Sequence, residues 1–493
     1  VSELLAQLPA LQVVVPLLAA PLCVLFGRRL AWLIVFAASL ASTAISAALL
    51  SQVWDGSVIS YAMGGWAPPW GIEYRVDLLN ALILLIVSAM SSIVLVYALG
   101  SVRREIPVSR QALFYATFAL CLTGLLGIAI TGDAFNVFVF LEISSLSSYA
   151  LISMGSHRKA LTAAFQYLVM GTIGATFILI GVGLLYMMTG TLNMADLAQR
   201  LSGIEGTRPG TAAFGFLTVG IALKLALFPL HLWLPNAYAF APSVVSAFLA
   251  ATATKVSIYL LLRFAFSVFG ASFSFVQEHL DWLLLGPAVL AMFAGSLSAI
   301  FQVDVKRMLA HSSVAQIGYI VLGIALATQA GVAAGLIHIF NHALIKAALF
   351  CALGCVFYRL GSVRLEHLAG LGRDMPWTMA TFVVGGLSLI GVPLTAGFIS
   401  KWYLIDAALD GGYWWLAVLI VASSLLAVVY VWRVVEVMYF RPVPEGHEKV
   451  AEAPLLLLLP TTALTAANLY FGLATTLPVS AAQGAAQLLV ATP

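Results

Sequence analysis

The chain alternates long apolar runs with short polar connections. A helix needs about 20 apolar residues to cross the hydrocarbon core of a bilayer. Runs of that kind lie near residues 4–26, 30–52, 77–99, 111–131, 134–154, 160–188, 211–237, 243–268, 281–301, 308–328, 331–358, 377–407, 412–438 and 453–474. The pattern predicts an all-α polytopic membrane protein of about fourteen spans, with no soluble domain and no low-complexity linker. The first run has no basic stretch before it, so it reads as a span and not a cleaved leader.

Spans 7 and 12 break their own pattern. Span 7 carries Lys224, then Pro229, His231 and Pro235. Span 12 carries Gly391, Pro393 and Gly397 shortly before Lys401. Five spans apart, the two run in opposite directions. Interrupted helices in corresponding positions of antiparallel halves predict an inverted repeat with its site near the midplane. The expected division is helices 1–3 over residues 1–110, a first five-helix repeat over 111–268, a second, inverted repeat over 281–440, and a last helix within 441–493.

Charge in the connections orients the bundle. Arg28 and Arg29, Arg103, Arg104 and Arg110, His157, Arg158 and Lys159, Lys306 and Arg307, Arg359, Arg364 and Arg373, and Arg441 and Lys449 follow odd-numbered spans. Connections after even spans are poor in Lys and Arg, apart from a mixed one with Asp196, Arg200, Glu205 and Arg208. Cytoplasmic loops carry the basic excess. Odd-to-even connections are therefore expected in the cytoplasm, with both termini outward, in a bacterial inner membrane.

Composition agrees with this class. Hydrophobic residues are 62% of the chain and charged residues 9%, against about 25% charged in soluble domains. The net charge of +3 and the lack of a basic cluster argue against nucleic acid. Cys23, Cys121, Cys351 and Cys355 all lie in apolar runs and read as packing residues. No dinucleotide fingerprint, P-loop or zinc spacing is present, so neither cofactor nor metal is expected.

The informative residues are the charges inside the spans, each costing about 2.5–3.5 kcal/mol at a bilayer centre on insertion scales. Glu142 lies in span 5, followed by serines at 144, 145, 147 and 148, a face that could line water. Lys224 lies in span 7 and Lys255 in span 8, after Thr252 and Thr254. His338, His342 and Lys346 recur every fourth residue in span 11 and stack along one helix face. Lys401 follows the break in span 12. Arg263 and Arg433 lie towards span ends and are expected to snorkel. Glu436 is expected to pair with Arg433, and Asp133 and Asp304 to cap helices or meet solvent.

A static Glu142–Lys224 pair would serve packing alone. The alternative is a switch. Burial disfavours a charged lysine, while a nearby carboxylate favours it. Relative movement of Glu142 and Lys224 would then load and release a proton. Histidine does so with little tuning. Freed carbonyls beside a proline are tolerated where they line a cavity. Lysines in several helices and two histidines thus predict a proton relay.

FVFLEISSLSSYALI, ALKLALFPLHLWLPNAYAFAPSVVSAFLAATATKVSIYLLLR, DVKRMLAHSSVAQIGYI, FNHALIKAALF and GVPLTAGFISKW together resemble the antiporter-like family. Mrp-type multisubunit cation/proton antiporters and the membrane arm of respiratory complex I share that family. The resemblance implies fourteen helices, two inverted five-helix repeats and broken helices 7 and 12. It also implies a proton route in which Glu142 and Lys224 are a paired unit and Lys255 connects. His338, His342 and Lys346 form the central link and Lys401 the far terminal site. GGWAPPWGIEYRVDLLNAL resembles the D-type branch of the Mrp antiporters, and the absence of a long extra segment after span 14 counts against the A-type subunit and its complex I counterpart, which carry added helices. His311 departs from the family, where a tyrosine is commoner. The implied partners are other subunits of a hetero-oligomeric membrane complex, with protons as the cargo and sodium handled indirectly. A redox-driven proton pump of the complex I or membrane-bound hydrogenase kind is the alternative. A scaffold with frozen ion pairs and a carrier of a small organic solute are further readings. Oxygen ligands around Glu142 could attract sodium, but the neighbouring Lys224 would repel it, which favours protons.

Overall fold

The computed structural model describes residues 5–202, 207–270, 274–442 and 449–490, with backbone only at 274–279 and 281–282. Glu205, and the side chains of Glu278 and Asp281, lie outside the described residues. The helices are α1 (Leu8–Phe26), α2 (Arg28–Gln52), α3 (Leu78–Glu105), α4 (Gln111–Ile130), α5 (Ala134–Ser153), α6 (Lys159–Thr189), α7 (Met194–Leu201), α8 (Arg208–Leu225), α9 (Trp233–Phe240), α10 (Ser243–Ala251), α11 (Ala253–Leu262), α12 (Ser274–Ile300), α13 (Val305–Ala325), α14 (Gln329–Leu360), α15 (Pro376–Ile390), α16 (Ala396–Asp410), α17 (Trp414–Tyr439), α18 (Leu455–Leu473) and α19 (Thr476–Val490). Among the described residues twelve helices are long and apolar enough to span a membrane. The interrupted spans 7 and 12 complete the expected set as α8–α9 and α15–α16.

Helix starts follow the sequence closely because side-chain oxygens satisfy the first free N–H groups. Asp133 caps α5 through Asn136 N, and Asp304 caps α13 through Arg307 N. Asp77 and Asn80 close a reciprocal capping box on α3. Two features were not expected. One is a short antiparallel hairpin, β1 (Ile59–Ala62) with β2 (Glu73–Val76), between α2 and α3. Buried Glu73 holds it, accepting from Ser60 Oγ at 2.5 Å and Asn193 Nδ2 at 2.8 Å. The other is α19, an alanine-rich helix packed on α3 and α14 beyond the last expected span.

Both predicted interruptions are present, and a left-handed residue marks each. Ala226 (φ 60°) ends α8, and seven residues later α9 starts at Trp233. Gly391 (φ 93°) ends α15, and Leu394 (φ 74°) precedes α16. Non-glycine residues in this region store strain that the surroundings must hold. A third interruption carries no glycine or proline: Thr252 separates α10 from α11. The same helix then widens into a π-helical turn over Arg263–Val268.

Small residues bring α8 against α6. A side-chain carbon added at Gly220 would lie 2.7 Å from the Gly174 carbonyl oxygen and 2.8 Å from Ile178 Cγ1. Close backbone approach of this kind is how membrane helices pack without a hydrophobic driving force. It fixes the helix that carries Lys224.

Gly220→Val should therefore force α8 away from α6. The expected cost is about 1–3 kcal/mol of overpacking, read as a lower thermal midpoint or less monodisperse protein in detergent. Gly183→Ala, on open space in α6, should leave both unchanged.

Candidate functional site

Every sequence-predicted relay residue except Glu142 is buried: Lys224, Lys255, His338, His342, Lys346 and Lys401 are each 5% exposed or less. Such burial demands a partner for each ammonium group.

Lys224 stands in the last turn of α8 and donates to Ser145 Oγ of α5 at 2.8 Å. It makes no ion pair with Glu142 within 4.0 Å, so the expected direct pair is replaced by a hydroxyl contact. Glu142 is only half-buried, although its Oε1 is buried without a protein partner. It shares a helix face with exposed Val139 and Leu146, so the carboxylate sits at the rim of the bundle. The serine face is also narrower than expected. Ser144, Ser147 and Ser148 return their hydroxyl protons to carbonyls of their own helix. Ser145 alone of the four meets Lys224.

The other lysines rest on backbone oxygen. Lys255 donates to the Ala250 carbonyl, freed by the break at Thr252, and lies 3.5 Å from Thr254 Oγ1. Lys401 donates to the Leu389 and Ile390 carbonyls at 3.0 and 2.9 Å and to Ser424 Oγ at 2.9 Å. These are orphan carbonyls at the end of α15, where the helix dipole also favours a cation. Gly391 leaves room for this reach, since a side-chain carbon there would meet Lys401 Cδ at 2.9 Å. Tyr319 presents its ring 4.6 Å from Lys401 Nζ, a cation–π contact. Lys346 donates to the Leu309 carbonyl at 2.8 Å and Ser312 Oγ at 2.5 Å, both on α13.

The histidines stack as expected, with parallel rings 6.0 Å apart. They differ in their partners. His338 Nδ1 meets Ser400 Oγ at 2.7 Å and Nε2 meets Gln316 Oε1 at 2.9 Å. Neither nitrogen of His342 bonds to protein. A buried imidazole of that kind is the group that ordered water satisfies. Gln316, Tyr319, Ser400 and Ser424 were not singled out in the sequence. Their signal was only a polar residue on an apolar helix, facing span 11 for Gln316 and Ser400 and Lys401 of span 12 for Tyr319 and Ser424.

Several charges stand elsewhere than expected. Arg263 does not snorkel: it is 8% exposed and forks onto Asp77. Lys306 is buried at 7% exposure and donates to the Ala241 carbonyl at 2.5 Å. Glu436 pairs with Arg441 at 3.4 Å, not with Arg433, because the chain turns back after α17. The four cysteines are buried and free, and no cluster of metal-ligating side chains occurs among the described residues.

Comparison with known proteins finds relatives along nearly the whole chain. The family model described as NADH:quinone oxidoreductase/Mrp antiporter, transmembrane, matches residues 131–427. The chain is 42% identical to the N subunit of an NADH-quinone oxidoreductase from Desulforudis audaxviator, covering 95% of this chain and 96% of that protein. It is 30% identical to the D-type subunit of a Na(+)/H(+) antiporter from Alkalihalophilus pseudofirmus, covering 95% and 94%. A chain of the Mrp complex from Dietzia sp. superposes with a TM-score of 0.90 at 29% identity, covering 99% and 98%.

The unequal bonding of the two histidines sets an order of stability. His338→Leu strands Ser400 and Gln316 and should cost about 1–3 kcal/mol. His342→Leu breaks no bond to protein and should cost clearly less. Thermal melts of the purified variants check the order, and reversal would contradict the bonding described.

Proposed function

The chain belongs to the NADH:quinone oxidoreductase/Mrp antiporter membrane family, and we propose that it conducts protons within a hetero-oligomeric membrane complex. The observation that carries this reading is the file of buried protonatable groups from Lys224 through Lys255, Lys346, His342 and His338 to Lys401. Each ammonium lies against carbonyls and hydroxyls, with no carboxylate within ion-pair distance among the described residues. A lysine so held can lose its proton without stranding a buried anion, whereas a locked ion pair resists discharge. Freed carbonyls at the breaks stay polar in either state. His342, unbonded to protein, is free to take and pass a proton in the middle of the file.

Glu142 enters differently from the static pair. At the bundle rim, within electrostatic range of Lys224 but not bonded to it, it senses a charge on a neighbouring subunit and biases Lys224. The division into two inverted repeats places one broken helix in each half. The basic connections lie in the cytoplasm and the hairpin face outward, in a bacterial inner membrane.

Two couplings fit this channel. One is monovalent cation/proton antiport of the Mrp D type, with sodium crossing outside this chain. The other is a redox-driven pump of the complex I kind, favoured by the 42% identity to an oxidoreductase N subunit. The two differ in partners, not in the relay.

The test is proton movement in inverted vesicles carrying the whole complex, followed with a pH-sensitive dye. Lys224→Ala and Lys346→Ala are each expected to lower transport at least tenfold at equal complex content. Wild-type rates from both would rule out the relay. A response to sodium alone selects the antiporter; a response only to an electron donor and acceptor selects the redox pump.

A further inference from the structure

On the face that carries the hairpin, a cavity of about 490 Å³ opens between the β2–α3 junction, the loop after α4, α7, the end of α11 with the π-helical turn after it, and α19. Its titratable lining is Arg75, Asp77, Tyr259 and Arg263. Three of these belong to one bonded unit. Arg263 donates from Nη1 and Nη2 to Asp77 at 2.8 and 2.9 Å, and from Nε to Tyr259 Oη at 3.1 Å. Its Nη1 also lies 3.2 Å from Ser267 Oγ. Tyr259 donates its own proton to the Ala129 carbonyl at 2.9 Å.

Lys255, Tyr259 and Arg263 are spaced four residues apart on one helix and so lie on one face. At 1.5 Å per residue, the stripe runs about 12 Å along the axis. Its inner end is a central lysine of the relay and its outer end is the cavity. The interruption at Thr252 and the π-helical turn at Arg263–Val268 bracket it. Resting on the relay reading, we propose that this stripe is an outlet for protons from Lys255 to the hairpin-face cavity, with the Arg263–Asp77 pair as its gate.

In the step, the Lys255 ammonium gives up one proton and becomes neutral. Lys255 faces the Ala250 carbonyl and the Tyr259 proton the Ala129 carbonyl, so the proton crosses to the Tyr259 hydroxyl through intervening water, and the hydroxyl turns from Ala129 to pass on its own. Asp77 receives it when Arg263 swings into the cavity, and then releases it to solvent there. Arg263 stays charged throughout and is a positioning residue. When the pair is closed, the fixed guanidinium repels a proton returning from the cavity. Asp77 also caps α3, but asparagine caps equally well, so its carboxylate charge is explained by Arg263 and not by the helix.

The experiment uses the whole complex in sealed vesicles of both orientations. Ser267→Cys is exposed to a membrane-impermeant methanethiosulfonate, and Tyr259→Phe is assayed for proton movement beside Lys346→Ala. The native cysteines of this chain are all buried, so labelling of this chain above that of the unsubstituted complex reports position 267. The expected result is labelling from the hairpin face only, a loss of transport on labelling relative to the same vesicles before reagent, and at least a tenfold loss in Tyr259→Phe at unchanged complex content. Labelling from neither face while denatured protein does label would overturn the outlet. So would full labelling with undiminished transport, or a Tyr259→Phe complex at wild-type rate. If Lys346→Ala fails to transport while those variants are normal, the outlet alone is wrong. If Lys346→Ala transports normally, the relay itself fails and the outlet falls with it.

Discussion

The structure turns on one constraint: a lysine buried in a membrane helix must be met by oxygen, and intact helices have little to offer. Backbone carbonyls inside a helix are already bonded, so free ones exist chiefly where a helix ends or breaks. Lys401 sits on the carbonyls at the end of α15, Lys255 on one beside the interruption at Thr252, and Lys306 on one in the turn before α10. Lys346 shares the Leu309 carbonyl with Ser313 Oγ of α13. For Lys401, Lys255 and Lys306 the breaks are thus the solvation shell of the charge, and the left-handed Leu394 before α16 is part of the structural cost of making it.

The same constraint separates two kinds of buried cation. The relay lysines are held by neutral dipoles, which leave both protonation states satisfied. Arg263 is held by a carboxylate in a two-pronged contact, which favours the charged state only. The chemistry follows from the partner more than from the residue. A guanidinium that never discharges suits a gate; an amine on carbonyls suits a carrier of protons.

Packing ties these groups to the bundle. Gly174 and Gly220 let α6 and α8 touch backbone to backbone, and that contact presents Lys224 to Ser145. On the central helix, His338 is clamped between α13 and α16 through Gln316 and Ser400, while His342 one turn away is not. A change in the position of α16 against α13 would act on His338 first, and reach His342 through their stacked rings.

The sequence by itself determined the class, the span positions, the two broken helices and which residues bear charge in the bilayer. Hydrophobic run length, proline and glycine are local signals, and the cost of a buried charge is high enough to make each one conspicuous. The sequence also placed the His338–His342–Lys346 face, because helical periodicity is local. It did not determine partners. That Lys224 bonds Ser145 and not Glu142, that Glu436 turns to Arg441, and that Arg263 reaches Asp77 across 186 residues depend on how helices cross. The break at Thr252 has no glycine or proline to announce it, and the hairpin and α19 are too short for a span-length pattern. Only the tertiary structure decided these, because a polar contact in a membrane protein is set by which helix faces which, and no residue carries that information alone.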